Sequence, residues 1–347
     1  IRVIIHPSID FGGRLQTQGT IFKAISKKAG NAKVDRIMKK PNLFIVGHPR
    51  SGTSSLHSYL SQHPDIFMSV IKEPNYFALD FRQASDRFHK KQLYFPYRTE
   101  KEYLRLYRKW ENEKIAGEAT ATNLCSKQSA REIHRFNPEA KIIMAFREPV
   151  EFLHSYHSAT QFALGEHLES FEEAMLAENG RRQGRDLSKR VINPSWLFYS
   201  EFIKYAEQIE RFWAYFDREQ IKIIIFDDFK NDTPGLYRDI LSFLDVDPDF
   251  APVFDIVNPN KQIRWPIIKK YTLDSPYFRK TLRLFFSDQT YAGLKNFYKS
   301  KIVKYKPRPA LDDDVRRKWM KNARPEVENL SRMLGSDLIS RWGYDKI

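Results

Sequence analysis

The chain has 347 residues, and its 58 Lys and Arg against 43 Asp and Glu give a formal net charge of +15. Its hydrophobic fraction of 41% and charged fraction of 29% are typical of a globular chain and exclude a disordered or fibrous one. No apolar run approaches the roughly 20 residues of a membrane-spanning helix. Cys125 is the only cysteine, which excludes an internal disulfide and a Cys-rich zinc site and favours a reducing compartment. We therefore expect a cytoplasmic protein, although a sequence that begins at Ile1 leaves open a removed N-terminal anchor.

Residues 1–40 have the pattern of an extended arm with a short basic helix, and an apolar run of strand length follows at residues 42–46. A loop with glycine at both ends separates this run from a helical segment at residues 53–62. Strand, loop and helix in that order open an α/β fold. Further apolar runs, typical of buried parallel strands, occur at residues 66–70, 115–117, 141–146 and 221–226. Helical patterns occur at residues 101–111, 126–136, 149–162, 197–216, 234–244, 312–322 and 325–334.

These elements predict one α/β domain over residues 41–347, with insertions near residues 78–112 and 265–310. Residues 261–308 contain thirteen Lys or Arg and two Asp, most of the net charge, which indicates an anionic ligand, acceptor or surface. Residues 275–286 place aromatic and basic side chains at helical spacing. That pattern fits either a packed helix or one that contacts a membrane surface or an acidic acceptor. We expect no nucleic-acid partner and no metal site, because neither a reading motif nor close H-x-x-x-H spacing is present.

The segment Gly47-x4-Gly52-Thr53-Ser54 follows the first strand and opens a helix. Such a loop directs backbone N–H groups and the positive end of the helix dipole at an anion. A nucleoside triphosphatase loop needs Lys after its second glycine, whereas Thr53 stands there and Arg50 supplies the positive charge three positions earlier. The alternative is an ordinary strand-to-helix turn, but the spacing and the embedded arginine favour an anion cradle.

Residues 47–56 resemble the 5′-phosphosulfate loop of sulfotransferases, which use 3′-phosphoadenosine 5′-phosphosulfate (PAPS) as donor. The resemblance implies a three-layer, P-loop-like fold with a central parallel sheet flanked by helices. It implies that Arg50 lies at the oxygen that bridges phosphate and sulfonate. Arginine stays protonated, so it would stabilise charge on the leaving group and would not donate a proton. The implied donor-binding residues of this loop are Arg50, Ser51, Gly52, Thr53 and Ser54.

Arg147 follows a strand, at the end where open α/β sheets bind ligands, although a pairing with Glu148 or Glu151 would explain it equally well. Arg147-x-Pro149 with Ser155 eight positions after the arginine resembles the 3′-phosphate motif of the same family. The order and spacing after the first loop also match. The resemblance therefore implies that Arg147 and Ser155 bind the 3′-phosphate.

The segment Lys72-Glu73-Pro74-Asn75-Tyr76-Phe77 follows the second strand. A carboxylate near the acceptor could take the proton of an attacking hydroxyl or amine, whereas a surface Lys–Glu pair is the common alternative. The six residues resemble K-E-P-H-[FY]-F of heparan-type and bacterial sulfotransferases, which implies that Glu73 is the general base. Asn75 departs from the family's His. Three weaker resemblances remain. Residues 117–120 resemble a family segment near the acceptor, and Phe226 with Asp227 and Asp228 resembles the end of a family strand. Residues 260–264 resemble a cationic loop of the family.

The sequence therefore predicts a sulfotransferase that moves the sulfuryl group of PAPS to a hydroxyl or amine of a small molecule, saccharide or lipid. The product nucleotide is 3′-phosphoadenosine 5′-phosphate (PAP), and no metal is expected. One alternative is a P-loop kinase or NTPase with a metal-binding strand at residues 223–227. The other is a catalytically inactive nucleotide- or membrane-binding module. The absent lysine at position 53 opposes the first, and the presence of Arg50, Glu73, Arg147 and Ser155 opposes the second.

Overall fold

The computed structural model describes residues 39–255, 261–263, 303–305 and 308–347. Its centre is a parallel sheet of five strands in the order β2-β3-β1-β4-β5. The strands are β1 (Leu43–Gly47), β2 (Ile66–Met68), β3 (Ile115–Ala119), β4 (Lys141–Phe146) and β5 (Ile221–Ile225). A separate antiparallel pair is formed by β6 (Lys261–Ile263) and β7 (Val303–Tyr305).

Helices cover both faces of the sheet. The longer ones are α1 (Thr53–Leu60), α2 (Leu79–His89), α4 (Ser129–Phe136), α5 (Pro149–Ala159), α9 (Tyr205–Trp213), α11 (Thr233–Leu244) and α12 (Asp313–Leu334). The shorter ones are α3 (Glu100–Leu104), α6 (Phe171–Leu176), α7 (Glu178–Arg182), α8 (Tyr199–Phe202), α10 (Phe226–Asn231) and α13 (Leu338–Arg341). Short 3₁₀ turns occur at Arg105–Tyr107, Pro194–Leu197, Arg218–Gln220 and Tyr344–Lys346, and a π-helical turn at Thr160–Leu164.

The central strand β1 explains why an unbroken apolar run marks the sheet. Phe44 and Val46 pack on one face with α4, α9 and α12, whereas Leu43 and Ile45 pack on the other face with α1 and α11. All four side chains are buried, because a parallel strand between two helical layers has no solvent-facing side. This arrangement confirms the predicted three-layer α/β fold with a central parallel sheet.

The predicted helical pair at residues 312–322 and 325–334 is wrong, because α12 runs through Pro325 as one helix. A proline inside a helix removes a hydrogen bond and usually breaks it. Here Met320, Ala323, Val327 and Leu330 are all buried, and their three- and four-residue spacing continues across the proline. Packing of this continuous apolar face on the core outweighs the local loss.

The helical pattern at residues 197–216 is also interrupted. It comprises the end of a 3₁₀ turn, then α8, then α9, with Ile203 and Lys204 between the two α-helices. The segment 78–112 contains α2 and α3. Within the described residues, no helix combines the length and the apolar character that crossing a membrane requires.

Several predictions fall on parts of the chain that the structure does not describe. The arm at residues 1–40 lies outside the described residues except for Lys39 and Lys40, and the basic segment 275–286 lies wholly outside them. Of the insertion at 265–310, only residues 303–305 and 308–310 are described. The division into an arm and a single domain with insertions therefore stays a prediction.

Candidate active site

The loops that follow β1 and β4 meet at the carboxyl edge of the sheet. From β1 the chain continues towards β2 on one side, and from β4 it continues to β5 on the other, so the topology reverses between these two neighbouring strands. Open α/β sheets bind ligands in the crevice at such a point. The His48 N–H donates to the carbonyl of Ala145 at 2.7 Å and joins the two strand ends. The topology thus brings the predicted phosphate loop beside Arg147.

Two glycines shape the phosphate loop. A Cβ atom on Gly47 would lie 2.5 Å from Cβ of Leu124, so a larger residue would force the phosphate loop and Leu124 apart. Gly52 has a φ of 87°, in the left-handed region that glycine adopts without strain, and it precedes α1 without a side chain to cap it. The first N–H groups of α1, starting at the buried Thr53 and the half-buried Ser54, are therefore placed to receive an anion.

Ser51 adds a second sign that the loop is built for a ligand. Its side chain is buried, and its Oγ has no hydrogen-bond partner within the described part of the chain. A buried hydroxyl without a partner is destabilising. An anion in the loop would accept its hydrogen bond, so this residue fits the donor-binding role implied by the sequence.

Arg50, Arg147 and Ser155, three of the predicted donor-binding residues, lie together although they are far apart in the chain or on different elements. Nε of Arg50 donates to Oγ of Ser155 at 3.1 Å, and a guanidinium nitrogen of Arg147 donates to the carbonyl of Arg50 at 3.3 Å. The Arg147 guanidinium also lies 5.0 Å from the ring centroid of Phe226, a cation–π contact that orients it. Phe226, predicted as the last strand residue, is instead the first residue of α10.

The positive charge of this cluster exceeds what its acidic partner can balance. The carboxylate of Glu151 accepts from Arg147 at 3.2 Å, from Arg308 at 3.3 Å and from Arg316 at 3.0 Å. Burial, then the charges of Arg147 and Arg50, outweigh Glu151 and lower the pKa of Arg308 to about 10. Burial and Arg147 likewise lower the pKa of Arg50. An anionic ligand would relieve this repulsion.

Glu73 lies at the same edge of the sheet, in the turn that follows β2. Its N–H donates to the carbonyl of Ala119 at the end of β3 (2.9 Å), which docks the turn after β2 onto the sheet. One carboxylate oxygen receives Nζ of Lys72 at 2.6 Å, and the other receives the Ala121 N–H at 2.9 Å. The Glu73 side chain is only 14% exposed, so this ion pair is not the surface pair of the alternative interpretation.

Glu118 is buried, and the two aspartates after β5 are paired with other side chains of the protein. Glu118 is fully buried at the end of β3, and burial raises its pKa to about 8, so the neutral acid predominates at pH 7. Asp227 accepts from Nε1 of Trp342 at 2.8 Å and from Lys230 at 3.0 Å, and Asp228 pairs with Arg341. These aspartates anchor the C-terminal helices, which removes the support for a metal-binding strand at residues 223–227.

Residues 41–251, more than half of the chain, match the model of the family described as "Sulfotransferase family". The chain belongs to the sulfotransferase family. It is 23% identical to the membrane-associated sulfotransferase kil1 of Dictyostelium discoideum, over 61% of this chain and 57% of that protein. It is 24% identical to human carbohydrate sulfotransferase 15, over 61% of this chain and 45% of that protein.

The fold is also that of a sulfotransferase. A crystal structure of a sulfotransferase from Alicyclobacillus acidocaldarius superposes with a TM-score of 0.58 at 24% identity, over 87% of this chain and 98% of that one. The bifunctional heparan sulfate N-deacetylase/N-sulfotransferase of Drosophila melanogaster is 18% identical over 88% of this chain, but only 27% of that protein is covered. The curated relatives are thus matched over roughly a quarter to three fifths of their length.

Sequence reasoning missed three charged residues of this sulfotransferase site. Glu151 was considered only as a local partner of Arg147, and Arg308 and Arg316 were not singled out. Their contacts with Glu151 join residues 157 and 165 positions apart in the chain, beyond the reach of any local pattern. The cationic loop predicted at residues 260–264 lies outside the described residues except for the backbone of β6. The predicted site residues remain candidates by position: Glu73, Arg50, Ser51, Gly52, Thr53, Ser54, Arg147 and Ser155.

Proposed function

We propose that this chain transfers the sulfuryl group of PAPS to a hydroxyl or amine acceptor and releases PAP. The observation that carries the proposal is the excess of arginine at the topological reversal between β1 and β4. Arg147, Arg308 and Arg316 converge there on the single carboxylate of Glu151, and Arg50 joins the cluster through its carbonyl, which accepts from Arg147. A ligand with two separate phosphate groups fits this charge, because one can occupy the loop before α1 while the other meets Arg147.

Different residues of the site would bind the two phosphate groups of the nucleotide. Ser51, Gly52, Thr53 and Ser54 would hold the 5′-phosphate through hydroxyl groups and the N–H groups at the start of α1. Arg147 and Ser155 would hold the 3′-phosphate, with Arg308 as a third contact. Charge-assisted hydrogen bonds of this kind are about twice as strong as neutral ones, which suits a small, highly charged ligand.

During the transfer, Glu73 would accept a proton while negative charge collects on the leaving phosphate. Glu73 takes the proton of the attacking acceptor as a bond forms between the acceptor's oxygen or nitrogen and sulfur. The bond from sulfur to the bridging oxygen breaks, and that oxygen keeps the electron pair as the leaving phosphate. Arg50 and the loop N–H groups stabilise the charge that collects on it. Lys72, paired with Glu73 at 2.6 Å, would help to orient the sulfonate.

The acceptor class is proposed from the relatives. Two of them carry a carbohydrate or heparan sulfate in their names, so we propose a saccharide hydroxyl or amine as the first acceptor to examine. A small molecule or a lipid are the other outcomes of an acceptor screen with labelled PAPS. A cytoplasmic location stays a prediction from cysteine usage.

Replacement of the base should affect chemistry and not donor binding. In Glu73→Gln the side chain keeps its shape and loses its ability to take a proton, so we expect turnover to fall about 10²-fold or more. The Kd for PAP should hardly change. Steady-state kinetics with labelled PAPS and calorimetry with PAP measure the two quantities. Glu172→Gln, which also removes a lysine partner (Lys318), is the matched control with normal turnover expected. Near-normal turnover in Glu73→Gln would refute the role.

Arg147 should discriminate between ligands with and without a 3′-phosphate. Arg147→Ala is expected to weaken PAP binding by about 1.5–3 kcal/mol, the range for a hydrogen bond to a charged group. Binding of adenosine 5′-phosphate, which lacks the 3′-phosphate, should change little. Calorimetry on both ligands makes the comparison. Arg182→Ala, which breaks another arginine–glutamate pair four residues apart, should leave both affinities unchanged. Equal losses for both ligands in Arg147→Ala would contradict the assignment.

Sulfuryl transfer should survive EDTA. Phosphoryl transfer uses Mg²⁺ because negative charge builds on the phosphoryl group and its leaving group. A sulfonate carries less negative charge, and Arg50 with the loop N–H groups can serve its leaving phosphate. The measurement is PAPS consumption with and without chelator, beside phosphate release from ATP. Activity that EDTA abolishes, Mg²⁺ restores and ATP supports would favour the kinase alternative.

A further inference from the structure

Glu73 lies in a turn, residues 72–76, that is tied to the loop after β3. The backbone N–H of Glu73 is bonded to Ala119, and its carboxylate accepts the Ala121 N–H. The third connection runs through Asn75, which is 6% exposed and has hydrogen bonds in three directions. The general-base proposal assigns no role to this residue.

The Asn75 side chain bridges the turn and the loop. Its Nδ2 donates to the carbonyl of Glu73 at 2.6 Å, and its Oδ1 accepts from Oγ1 of Thr122 at 2.9 Å. Its backbone N–H reaches Oγ1 of Thr120 at 3.4 Å. Thr120 and Thr122 are both buried. The amide of Asn75 therefore uses its donor on the backbone of Glu73 and its acceptor on the sheet-anchored loop.

The backbone of the turn is strained at Glu73, whose carbonyl accepts from the side-chain amide of Asn75. Glu73 has a φ of 58° and Asn75 a φ of 55°, both in the left-handed region. Asparagine tolerates this region better than most residues, whereas glutamate has no such preference. A strained conformation persists only where the surroundings impose it. The bridge from Asn75 to Thr122 supplies part of that constraint.

We propose that Asn75, held by Thr122, is a positioning residue that fixes the direction of the Glu73 carboxylate. The inference rests on the proposed role of Glu73 as base. The Glu73 carbonyl anchors the backbone from which its carboxylate projects, so loss of the bridge lets the carboxylate turn away from the acceptor. Asn75 is buried and makes none of the contacts assigned to the donor. Its loss should therefore lower kcat and leave donor affinity unchanged.

Asn75→Gly separates the side-chain bridge from the backbone strain. Glycine adopts a φ of 55° without strain, so this variant keeps the turn and loses only the amide. We expect kcat to fall about 10-fold to 10²-fold, the effect of a small misplacement of a catalytic group. The KM for PAPS and the Kd for PAP should stay within about twofold of the wild type, because the phosphate sites are untouched. A kcat within twofold of the wild type in a folded Asn75→Gly protein would overturn the proposal.

A second pair of variants approaches the bridge from its other end. Thr122→Val has nearly the same shape and no hydroxyl to donate to Asn75, so it should lower kcat as Asn75→Gly does. Thr122→Ser keeps the hydroxyl and should restore most of the activity. If Asn75→Gly fails to fold, this pair decides. Equal kcat in Thr122→Val and Thr122→Ser would contradict the bridge.

The double variant Glu73→Gln/Asn75→Gly shows whether Asn75 acts through Glu73. A positioning role predicts that the double variant is no slower than Glu73→Gln alone, since no base is left to position. Independent, multiplying losses would indicate a purely structural effect and would overturn the inference.

Asn193→Ala serves as the control for loss of a buried asparagine, and wild-type activity separates failure of this inference from failure of the proposed function. Asn193→Ala removes a buried asparagine whose bonds go to Phe81 and Ser195, and it should lower the Tm without changing kcat. A wild-type protein that produces no sulfated product from labelled PAPS would defeat the proposed function and, with it, any role in positioning the base. A wild type that turns over beside an unchanged Asn75→Gly defeats the inference alone.

Discussion

Three guanidinium groups share one carboxylate at the edge of the sheet, with a fourth arginine beside them, and this imbalance of charge is the constraint on which the site depends. Glu151 lies in the first turn of α5 and accepts from Arg147, Arg308 and Arg316, while Arg50 is linked to the same cluster through its carbonyl. Burial, and after it the like charges of Arg147 and Arg50, lower the pKa of Arg308 to about 10. A bound anion would offset this crowding of positive charge, and functional sites commonly keep such locally unfavourable arrangements.

Glu73 lies at the same edge of the sheet as the arginine cluster, but beside a different strand. The phosphate loop follows β1, and the turn that contains Glu73 docks on the neighbouring strand β3. Hydrogen bonds from Lys72 and from the Ala121 N–H hold the two oxygens of the Glu73 carboxylate in place. Glu118, only one residue before the docking point, is buried and predominantly neutral at pH 7.

Much of the fold could be predicted because parallel strands between helical layers are apolar throughout, as β1 shows. The phosphate loop and Arg147 could also be predicted, since each lies within one short segment directly after a strand. Arg308 and Arg316 could not, because their role arises from contacts across more than 150 residues. The helix through Pro325 was missed because tertiary packing overrode a local breaker. Asn75 looked like a lost histidine in the sequence, and only its bond to Thr122 indicates what it does.

A crystal structure of the protein with PAP tests the central claim most directly, because it locates both phosphate groups at once. The account predicts the 5′-phosphate in the loop of residues 50–54 and the 3′-phosphate within hydrogen-bond distance of Arg147, Ser155 or Arg308. It also predicts that the side of the 5′-phosphate that the loop leaves free, where PAPS carries its sulfonate, faces Glu73. A nucleotide bound in the reverse direction, or bound away from the edge between β1 and β4, would contradict the account.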